Sequence, residues 1–362
     1  MKIAIVGAGI VGSTAAYYLS KEKDVEVTVF DHGLGQATKA AAGIISPWFS
    51  KRRNKAWYRM ARLGADFYQD LVSDLENDGY DTSFYDQSGV ALLKKDDSKL
   101  DGLYQHAETR LEESPIIGEL SIKNAAELPE FTGFDRYLYA SGGARVEGAE
   151  LTATLIEASG FEKVEGLVTL SPLDNGTYEI NGQTFDKVIL ACGAWLGQTL
   201  EPLGFEVDVR PQKGQLRDYF FEGMDTAKLP VLMPEGELDV IPFAGGKISV
   251  GASHENDQGF DLTVDETVLA SLEEEARTYF PDLSTAKSFS ERVGTRAYTS
   301  DFSPFFGEVP ELEGVFVASG LGSSGLTTGP LIGKNLVELA MNRPGSLDSS
   351  DYPVSQYVKK KD

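Results

Sequence analysis

Cysteine and histidine are scarce in this sequence. The 362 residues include one cysteine, Cys192, and three histidines, His32, His106 and His254. A single cysteine cannot form an intramolecular disulfide. The histidines lie far apart in the chain, without another histidine or a cysteine at ligand spacing. The sequence therefore predicts no zinc site and no other metal site.

Positive charge and long apolar runs are also in short supply. Lys and Arg number 33 against 56 Asp and Glu, which gives a formal net charge of −23. Nucleic-acid binding requires a basic surface, so this balance argues against such a partner. No apolar run approaches the length of a membrane span. Because the first apolar segment follows Met1 almost at once and leaves no room for a signal peptide, we expect a cytoplasmic protein.

A glycine motif opens the chain. Residues 2–12 read KIAIVGAGIVG, an apolar strand that runs into G-x-G-x-x-G. In this pattern Gly7 permits the tight turn, Gly9 lets the backbone approach a pyrophosphate, and Gly12 allows close helix packing. The next apolar run ends at Asp31, where a carboxylate can accept hydrogen bonds from a ribose. These residues predict a dinucleotide site and leave FAD and NAD equally open.

Apolar residues recur at helical spacing in five places. The first of these segments ends at Asp78-Gly79. The fourth begins with a capping box of Thr263 and Glu266 and ends before Pro281. The predicted helices cover about 57–75, 100–111, 151–158, 268–276 and 331–341.

Strand signals fill most of the remaining chain. Turn pairs at 175–176 and 181–182 predict a meander with strands at 164–170 and 178–180. Four strand-like pieces between 206 and 251 have no helical pattern between them and predict an antiparallel sheet in a second domain. Other buried strands are expected at 88–94, 187–191 and 314–319.

Five segments in order resemble the D-amino acid oxidase family of flavoproteins, which includes glycine oxidase, sarcosine oxidase and bacterial D-amino acid dehydrogenases. Besides the first motif, ATKAAAGIISP (37–47) resembles the small-residue segment of the family, and FDKVILACGAW (185–195) resembles its strand beneath the cofactor. VGTRAYTSDFSPFFG (293–307) is similar to its Gly-x-Arg-Pro stretch, and ASGLGSSGLTTGP (318–330) is similar to its flavin-facing glycine loop.

The resemblance implies an α/β fold with a Rossmann-like FAD-binding domain of the GR2 type. An inserted α+β substrate domain, built on an antiparallel sheet, is expected to roof the flavin ring. We place the discontinuous FAD-binding domain at 1–82, 142–205 and 292–362, and the substrate domain at 83–141 and 206–291.

The resemblance also implies non-covalent FAD, because nicotinamide dehydrogenases do not carry such a second glycine loop before a C-terminal helix. Backbone N–H groups of this loop and the positive end of the helix after it would favour a reduced, anionic flavin. The residues expected to contact FAD are Gly7, Gly9, Ile10, Val11, Gly12, Asp31, His32, Thr38, Lys39, Ala42, Gly43, Ile44, Val168, Cys192, Gly193, Trp195, Gly320, Gly322, Ser323, Ser324, Gly325, Leu326 and Thr327.

For the reaction, the family implies a small amino or imino acid substrate. Hydride leaves its α-carbon for flavin N5, and water hydrolyses the resulting imine to an oxo acid. Arg296 matches the carboxylate-binding arginine of the family, and a planar guanidinium can hold a carboxylate through two parallel bonds. Tyr298 and His254 are the other candidate catalytic residues.

Three positions depart from the family pattern. Asp239 or Val240 stands where glycine oxidase and its relatives place a substrate tyrosine. Ser249 stands where sarcosine-oxidase-like members place a lysine that assists oxygen reduction, so oxygen and another electron acceptor both stay open as partners. Lys39 stands where Ser or Thr is common, and a phosphate contact could come from Lys39 or from Thr38.

Two functions of other classes compete with this interpretation. One is an NAD-dependent dehydrogenase, and the other is a flavin-binding sensor without turnover. A homo-oligomer is compatible with the sequence.

Overall fold

Residues 1–361 are described by the structure, which is a computed structural model. None of the helices in this part of the chain has both the length and the apolar character that crossing a bilayer requires. The helices are α1 (Ile10–Leu19), α2 (Ala37–Ala40), α3 (Lys55–Asn77), α4 (Asp97–Glu108), α5 (Gly148–Ser159), α6 (Leu196–Leu200), α7 (Glu266–Arg277) and α8 (Gly325–Ala340).

The strands are shorter and more numerous than the helices. They are β1 (Lys2–Val6), β2 (Glu26–Asp31), β3 (Ile44–Ile45), β4 (Tyr85–Asp86), β5 (Val90–Leu92), β6 (Leu120–Asn124), β7 (Arg136–Ala140), β8 (Ala144–Val146), β9 (Glu162–Glu165), β10 (Leu170–Pro172), β11 (Tyr178–Ile180), β12 (Gln183–Phe185), β13 (Lys187–Leu190), β14 (Phe205–Val207), β15 (Arg210–Phe220), β16 (Val231–Met233), β17 (Asp239–Phe243), β18 (Lys247–Gly251), β19 (Ser288–Tyr298), β20 (Phe305–Glu308), β21 (Val315–Ser319) and β22 (Val358–Lys360).

A six-stranded sheet carries the first glycine motif. Its strand order is β20-β21-β13-β1-β2-β9, and only β20 runs antiparallel to its neighbour. The central strand β1 is buried from Ile3 to Val6, which its unbroken apolar run predicts. Helix α1 packs against both α5 and α8. This arrangement confirms the Rossmann-like domain.

An eight-stranded sheet forms the second layer of the molecule. Its order is β19-β15-β18-β17-β16-β5-β7-β6, and every pair is antiparallel except β16 with β5. The four pieces expected between 206 and 251 supply β15 to β18, so the prediction of an antiparallel substrate sheet is confirmed. The domain limits stay a prediction, and Asp362, the last residue assigned to the FAD-binding domain, lies outside the described residues.

Three smaller sheets complete the architecture. The meander β10-β11-β12 is present with its two predicted turns, whereas β14 pairs with β22 and β8 lies between β3 and β4. The single strand predicted at 164–170 is wrong. β9 and β10 belong to different sheets, because Gly166 has a φ of +129° that ends the first strand.

Two predicted helix starts are also wrong. Helix α7 is capped by Asp265 rather than Thr263, since Asp265 Oδ1 accepts hydrogen bonds from the N–H groups of Thr267 and Val268. Helix α8 begins at Gly325, six residues before the predicted start at about 331, and continues through Pro330.

The hydrogen bonding around Pro330 explains why α8 tolerates it. Proline has no N–H, so the carbonyl of Leu326 loses its partner within the helix. The hydroxyl of Tyr68, on α3, donates a hydrogen bond to this carbonyl at 2.7 Å. A side chain from another helix therefore replaces the missing backbone donor.

Strand β19, at the edge of the eight-stranded sheet, joins that sheet to the segment that follows β2. The N–H of Thr295 donates to the carbonyl of Gly35 at 3.0 Å, and Arg292 Nη1 donates to the carbonyl of Ala41 at 3.0 Å. A Cβ on Gly294 would lie 2.7 Å from the Cβ of Ala40, so the close contact requires glycine there. The segment 35–41 is thereby fixed against the substrate sheet.

A second close contact, between α3 and α8, generates a stability prediction. A Cβ added at Gly64 would lie 2.2 Å from the carbonyl oxygen of Thr327. We expect Gly64→Ala to lower the free energy of unfolding by about 1–3 kcal/mol through overpacking. Urea unfolding followed by far-ultraviolet circular dichroism measures the change.

The matched control is the same substitution in α4. Gly102 has no atom within 4 Å of an added Cβ. Gly102→Ala should raise the free energy of unfolding by about 0.5–1 kcal/mol, because alanine loses less conformational freedom on folding. Equal effects of the two substitutions would contradict the packing explanation.

Candidate active site

The first glycine motif forms the turn between β1 and α1. Gly7 has a φ of +102°, a conformation that side chains disfavour. A Cβ on Gly12 would lie 1.8 Å from the carbonyl oxygen of Gly7, so Gly12 packs against the turn and lines no cavity. A Cβ on Gly9 would approach only the Oγ1 of Thr38, at 3.4 Å, and Gly9 lines a cavity. Two of the three motif glycines therefore border a cavity, and the third makes the turn compact.

A cavity of about 350 Å³ lies beside this turn. It is bordered by the ends of β1 and β2, by the segment after β13 and by the glycine loop before α8. More than half of the predicted FAD contacts line it: Gly7, Gly9, Ile10, Val11, Asp31, His32, Thr38, Val168, Cys192, Gly193, Trp195, Gly322 and Gly325.

Two polar side chains in this cavity have fixed partners. Asp31 is buried, and its Oδ1 accepts from the N–H of Ala8 at 3.0 Å while its Oδ2 accepts from Gln36 Nε2 at 2.6 Å. Thr38 Oγ1 accepts from the N–H of Ile10 at 3.0 Å. Lys39, the alternative to Thr38, is exposed and lines neither cavity.

A larger cavity, of about 730 Å³, lies between the small-residue segment and the substrate sheet. It shares Thr38, Gly322 and Gly325 with the smaller cavity, so the two are contiguous. Of the predicted FAD contacts, Gly320 lines neither cavity. Those that line only the larger one are Ala42, Gly43, Ile44, Ser323, Ser324, Leu326 and Thr327.

The joined cavities fit an extended dinucleotide with a flat ring system. A Cβ on Gly43 would lie 2.0 Å from the carbonyl oxygen of Val146. Only glycine therefore lets the chain pass between Val146 and the larger cavity. The N-terminus of α1 borders the smaller cavity, and the N-terminus of α8, at Gly325, borders both cavities. Both helix ends favour negative charge, as a diphosphate and a reduced flavin require.

Arg296 lies in the roof of the larger cavity, on β19. Its Nη1 donates to Gln212 Oε1 at 3.1 Å and to the carbonyl of Ser253 at 2.8 Å. Its guanidinium lies over Gly214, where a Cβ would approach Nη1 to 2.5 Å. The Nε and Nη2 groups have no hydrogen-bond partner among residues 1–361. Burial lowers the pKa of the guanidinium, but an arginine stays charged at neutral pH.

His254 lines the same cavity, and its charge state follows from its surroundings. Its Nδ1 lies 3.5 Å from Glu237 Oε2. Burial, and next the positive charge of Arg296, lower the pKa of His254 below its usual value of 6.5, against the opposing effect of Glu237. The imidazole is therefore neutral at pH 7.

Tyr298, the third candidate catalytic residue, lies outside both cavities. Its hydroxyl accepts a hydrogen bond from the N–H of Ser323 at 3.0 Å. Its ring lies so close to Gly322 that a Cβ there would approach it to 2.1 Å. Tyr298 thus supports the glycine loop from behind.

Sequence reasoning missed two features of the roof. Gly214 gives Arg296 its place, and Asp239 lines the cavity at the start of β17. For Asp239, the available signal was that an aspartate stands where the family pattern has a tyrosine. No local pattern marks Gly214, because its partner lies more than eighty residues away in the chain.

Comparisons with known proteins agree with this geometry. A family model described as an FAD-dependent oxidoreductase, DAO, matches residues 2–339. The uncharacterized oxidoreductase YurR of Bacillus subtilis is 38% identical over 363 residues, covering 96% of this chain and 97% of YurR. The glycine oxidase of Pseudomonas aeruginosa is 29% identical, covering 97% of this chain and 98% of the relative.

A solved structure extends the agreement to three dimensions. Iminodiacetate oxidase from Chelativorans sp. BNC1 superposes with a TM-score of 0.92 at 31% identity, covering 97% of this chain and 98% of that chain. The predicted family, flavin cofactor and enzyme class are confirmed by these matches. The chain belongs to the DAO family of FAD-dependent oxidoreductases, and FAD is its cofactor.

Proposed function

We propose that the chain oxidises the C–N bond of a small amino or imino acid, with hydride passing from the substrate α-carbon to FAD. The observation that carries this proposal is Arg296, which lines the larger cavity and has no partner for Nε and Nη2 among residues 1–361. A carboxylate is the complementary ligand for such a guanidinium edge. The relatives named for glycine and iminodiacetate support it, since both compounds carry an amine and a carboxylate.

The residues around the two cavities suit FAD. Thr38 and the turn at Gly7–Val11 would hold the diphosphate, and Asp31 would accept hydrogen bonds from a ribose. Segments 42–44 and 322–327 would border the ring, with the N-terminus of α8 near its negative charge. Bound FAD supplies the two-electron acceptor.

The remaining steps belong to protein side chains. Arg296 would hold the carboxylate and fix the α-carbon relative to the ring, which lowers the entropic part of the barrier. Neutral His254 adds no positive charge beside Arg296. Apolar lining from Leu92, Met233 and Trp57 limits water beside the reacting carbon. Water then hydrolyses the released imine to the oxo acid.

Both competing functions lose their support. Membership of an FAD-dependent family removes the support for an NAD-dependent dehydrogenase, and the enzyme relatives do the same for a sensor without turnover. The electrons leave to oxygen or to another acceptor. Reoxidation rates measured in air, and under nitrogen with an added quinone or dye, distinguish the two.

An anaerobic substrate panel tests the proposed function. We expect at least one of glycine, sarcosine, iminodiacetate, proline and the D- and L-amino acids to bleach the visible absorbance of the flavin and to yield an oxo acid. Dithionite serves as the control that the flavin is reducible. If dithionite bleaches the flavin and no amine does, the proposal is wrong.

A substitution at Arg296 tests the carboxylate site. Arg296→Ala should raise KM for the carboxylate substrate about 10²-fold or more, because two charge-assisted hydrogen bonds are lost, each worth roughly 1.5–3 kcal/mol. The flavin absorbance per mole of protein should stay unchanged. Steady-state kinetics and the flavin spectrum measure the two effects.

The control for that experiment lies on the neighbouring strand. Arg210 is exposed on β15, opposite Tyr298, and lines neither cavity. Arg210→Ala should leave KM unchanged. An equal rise in KM for both variants, or none for Arg296→Ala, would remove Arg296 from the substrate site.

A further inference from the structure

Asp239 is a carboxylic acid without a partner in the larger cavity. It begins β17, is half-buried and lines the space roofed by Arg296 and His254. Neither of its carboxyl oxygens accepts a hydrogen bond from any group in residues 1–361. Because Asp239 lines the cavity and receives no hydrogen bond from the protein, its carboxyl group is open to a ligand group placed there.

The register of the sheet explains the surroundings of Asp239. On one side, Leu232 pairs antiparallel with Val240, so Met233 lies beside Asp239. Met233 in turn pairs with Leu92. On the other side it is opposite Gly251, which has no side chain. Asp239 therefore has apolar side chains on one flank and no facing side chain on the other.

This environment changes the acidity of the group. Burial raises the pKa of Asp239 to about 8 from its ordinary value of 3.8. At pH 7 about a tenth of the free enzyme carries Asp239 as the carboxylate. A positive charge placed beside it stabilises the carboxylate and releases its proton.

Other charged groups of the cavity are less suited to take a proton from a ligand. His254 lies beside the cation of Arg296, which opposes a second positive charge there. Five more charged groups line the cavity near β17. Among them, Glu235 accepts a hydrogen bond from Lys99 at 3.4 Å, and the side chain of Glu237 is 67% exposed. These groups are Lys51, Lys94, Lys99, Glu235 and Glu237.

The proposed reaction requires a proton acceptor. An amino acid in water carries an ammonium group, which has no lone pair, and hydride leaves an α-carbon only when the nitrogen lone pair can form the C=N bond. One N–H bond of the ammonium must therefore break before oxidation. The proton must pass to a group in contact with the substrate nitrogen.

We propose that Asp239 receives the substrate ammonium group and accepts one of its protons, so that the free amine is the species oxidised. This inference rests on the proposed function. The N–H bond breaks and an O–H bond forms on the Asp239 carboxylate. No atom changes its oxidation state in this step. Asp239 keeps this proton when the product departs, and the ammonium group of the next substrate displaces it to solvent. Asp239 is then a catalytic residue, whereas Arg296 binds the carboxylate.

Binding of an unreactive analogue tests the ammonium contact. 2-Aminoisobutyrate has an ammonium and a carboxylate but no α-hydrogen, and isobutyrate lacks the nitrogen. Titration calorimetry of the FAD-loaded enzyme at pH 7, in buffers of different ionisation enthalpy, should show release of close to one proton with 2-aminoisobutyrate and none with isobutyrate. Asp239→Asn should abolish the release and weaken only 2-aminoisobutyrate, about tenfold or more.

The pH profile of flavin reduction tests the proton transfer. In anaerobic stopped flow, the second-order rate constant for reduction of the wild-type flavin should rise about tenfold per pH unit below pH 8 and then level off. Asp239→Asn should lack the inflection near pH 8 and rise further, as the fraction of free amine in solution grows. At pH 8 its rate should be about 10²-fold lower. Asp174→Asn, on an exposed turn, is the matched control and should follow the wild type.

A stability measurement needs no ligand. The folded state retains the Asp239 proton up to about pH 8, whereas the unfolded chain loses it near pH 4. The contribution of this group to stability is therefore full below pH 4, falls as the pH rises to 8, and is constant above. The Tm of Asp239→Asn relative to wild type should increase from pH 5 to pH 8 and then stay level.

The outcomes separate this inference from the proposed function. Flavin reduction by an amine, with the same pH profile in wild type and Asp239→Asn, would overturn the role of Asp239 alone. Proton release that depends on Asp239, without reduction by any amine, would overturn the oxidase function and keep the ammonium site. No binding of either analogue, or a Tm difference that is constant from pH 5 to 8, would overturn the proposal for Asp239.

Discussion

The contact between β19 and the segment from Gly35 to Ala41 sets the geometry on which the active site depends. One backbone hydrogen bond, from Thr295 to Gly35, and one arginine contact, from Arg292 to Ala41, join the substrate sheet to the nucleotide-binding domain. The same strand carries Arg296, the residue directly after Thr295. Strand β19 therefore holds the carboxylate site and the small-residue segment at a fixed separation through direct hydrogen bonds.

Parts of the molecule that obey local rules could be predicted from the sequence. The turn at Gly7, the strand that ends at Asp31 and the long helix α3 each follow from residues that are neighbours in the chain. Their conformations depend on glycine φ values, apolar runs and helical periodicity. Most of the FAD contacts that the family resemblance implies line the two cavities.

Features that depend on distant pairing could not be predicted in this way. The place of Arg296 over Gly214 requires the register of β15 with β19, and the position of Asp239 opposite Gly251 requires the register of β17 with β18. Tyr298 looked like a pocket residue by alternation along its strand, yet the glycine loop packs on it and separates it from the cavity. Pro330 indicates a helix boundary by local rules. Helix α8 nevertheless continues through it, because the hydroxyl of Tyr68 replaces the missing backbone donor.

The bond between Tyr68 and Leu326 has a consequence for how the flavin loop moves. Leu326 lies in the first turn of α8, directly after the glycines that border the cavity, and its carbonyl is tied to α3 rather than to its own helix. Any displacement of that turn must stretch this bond or carry the 23-residue helix α3 along. The long helix thus acts as a brace, and mechanical stiffness at the cofactor comes from a residue that never touches it.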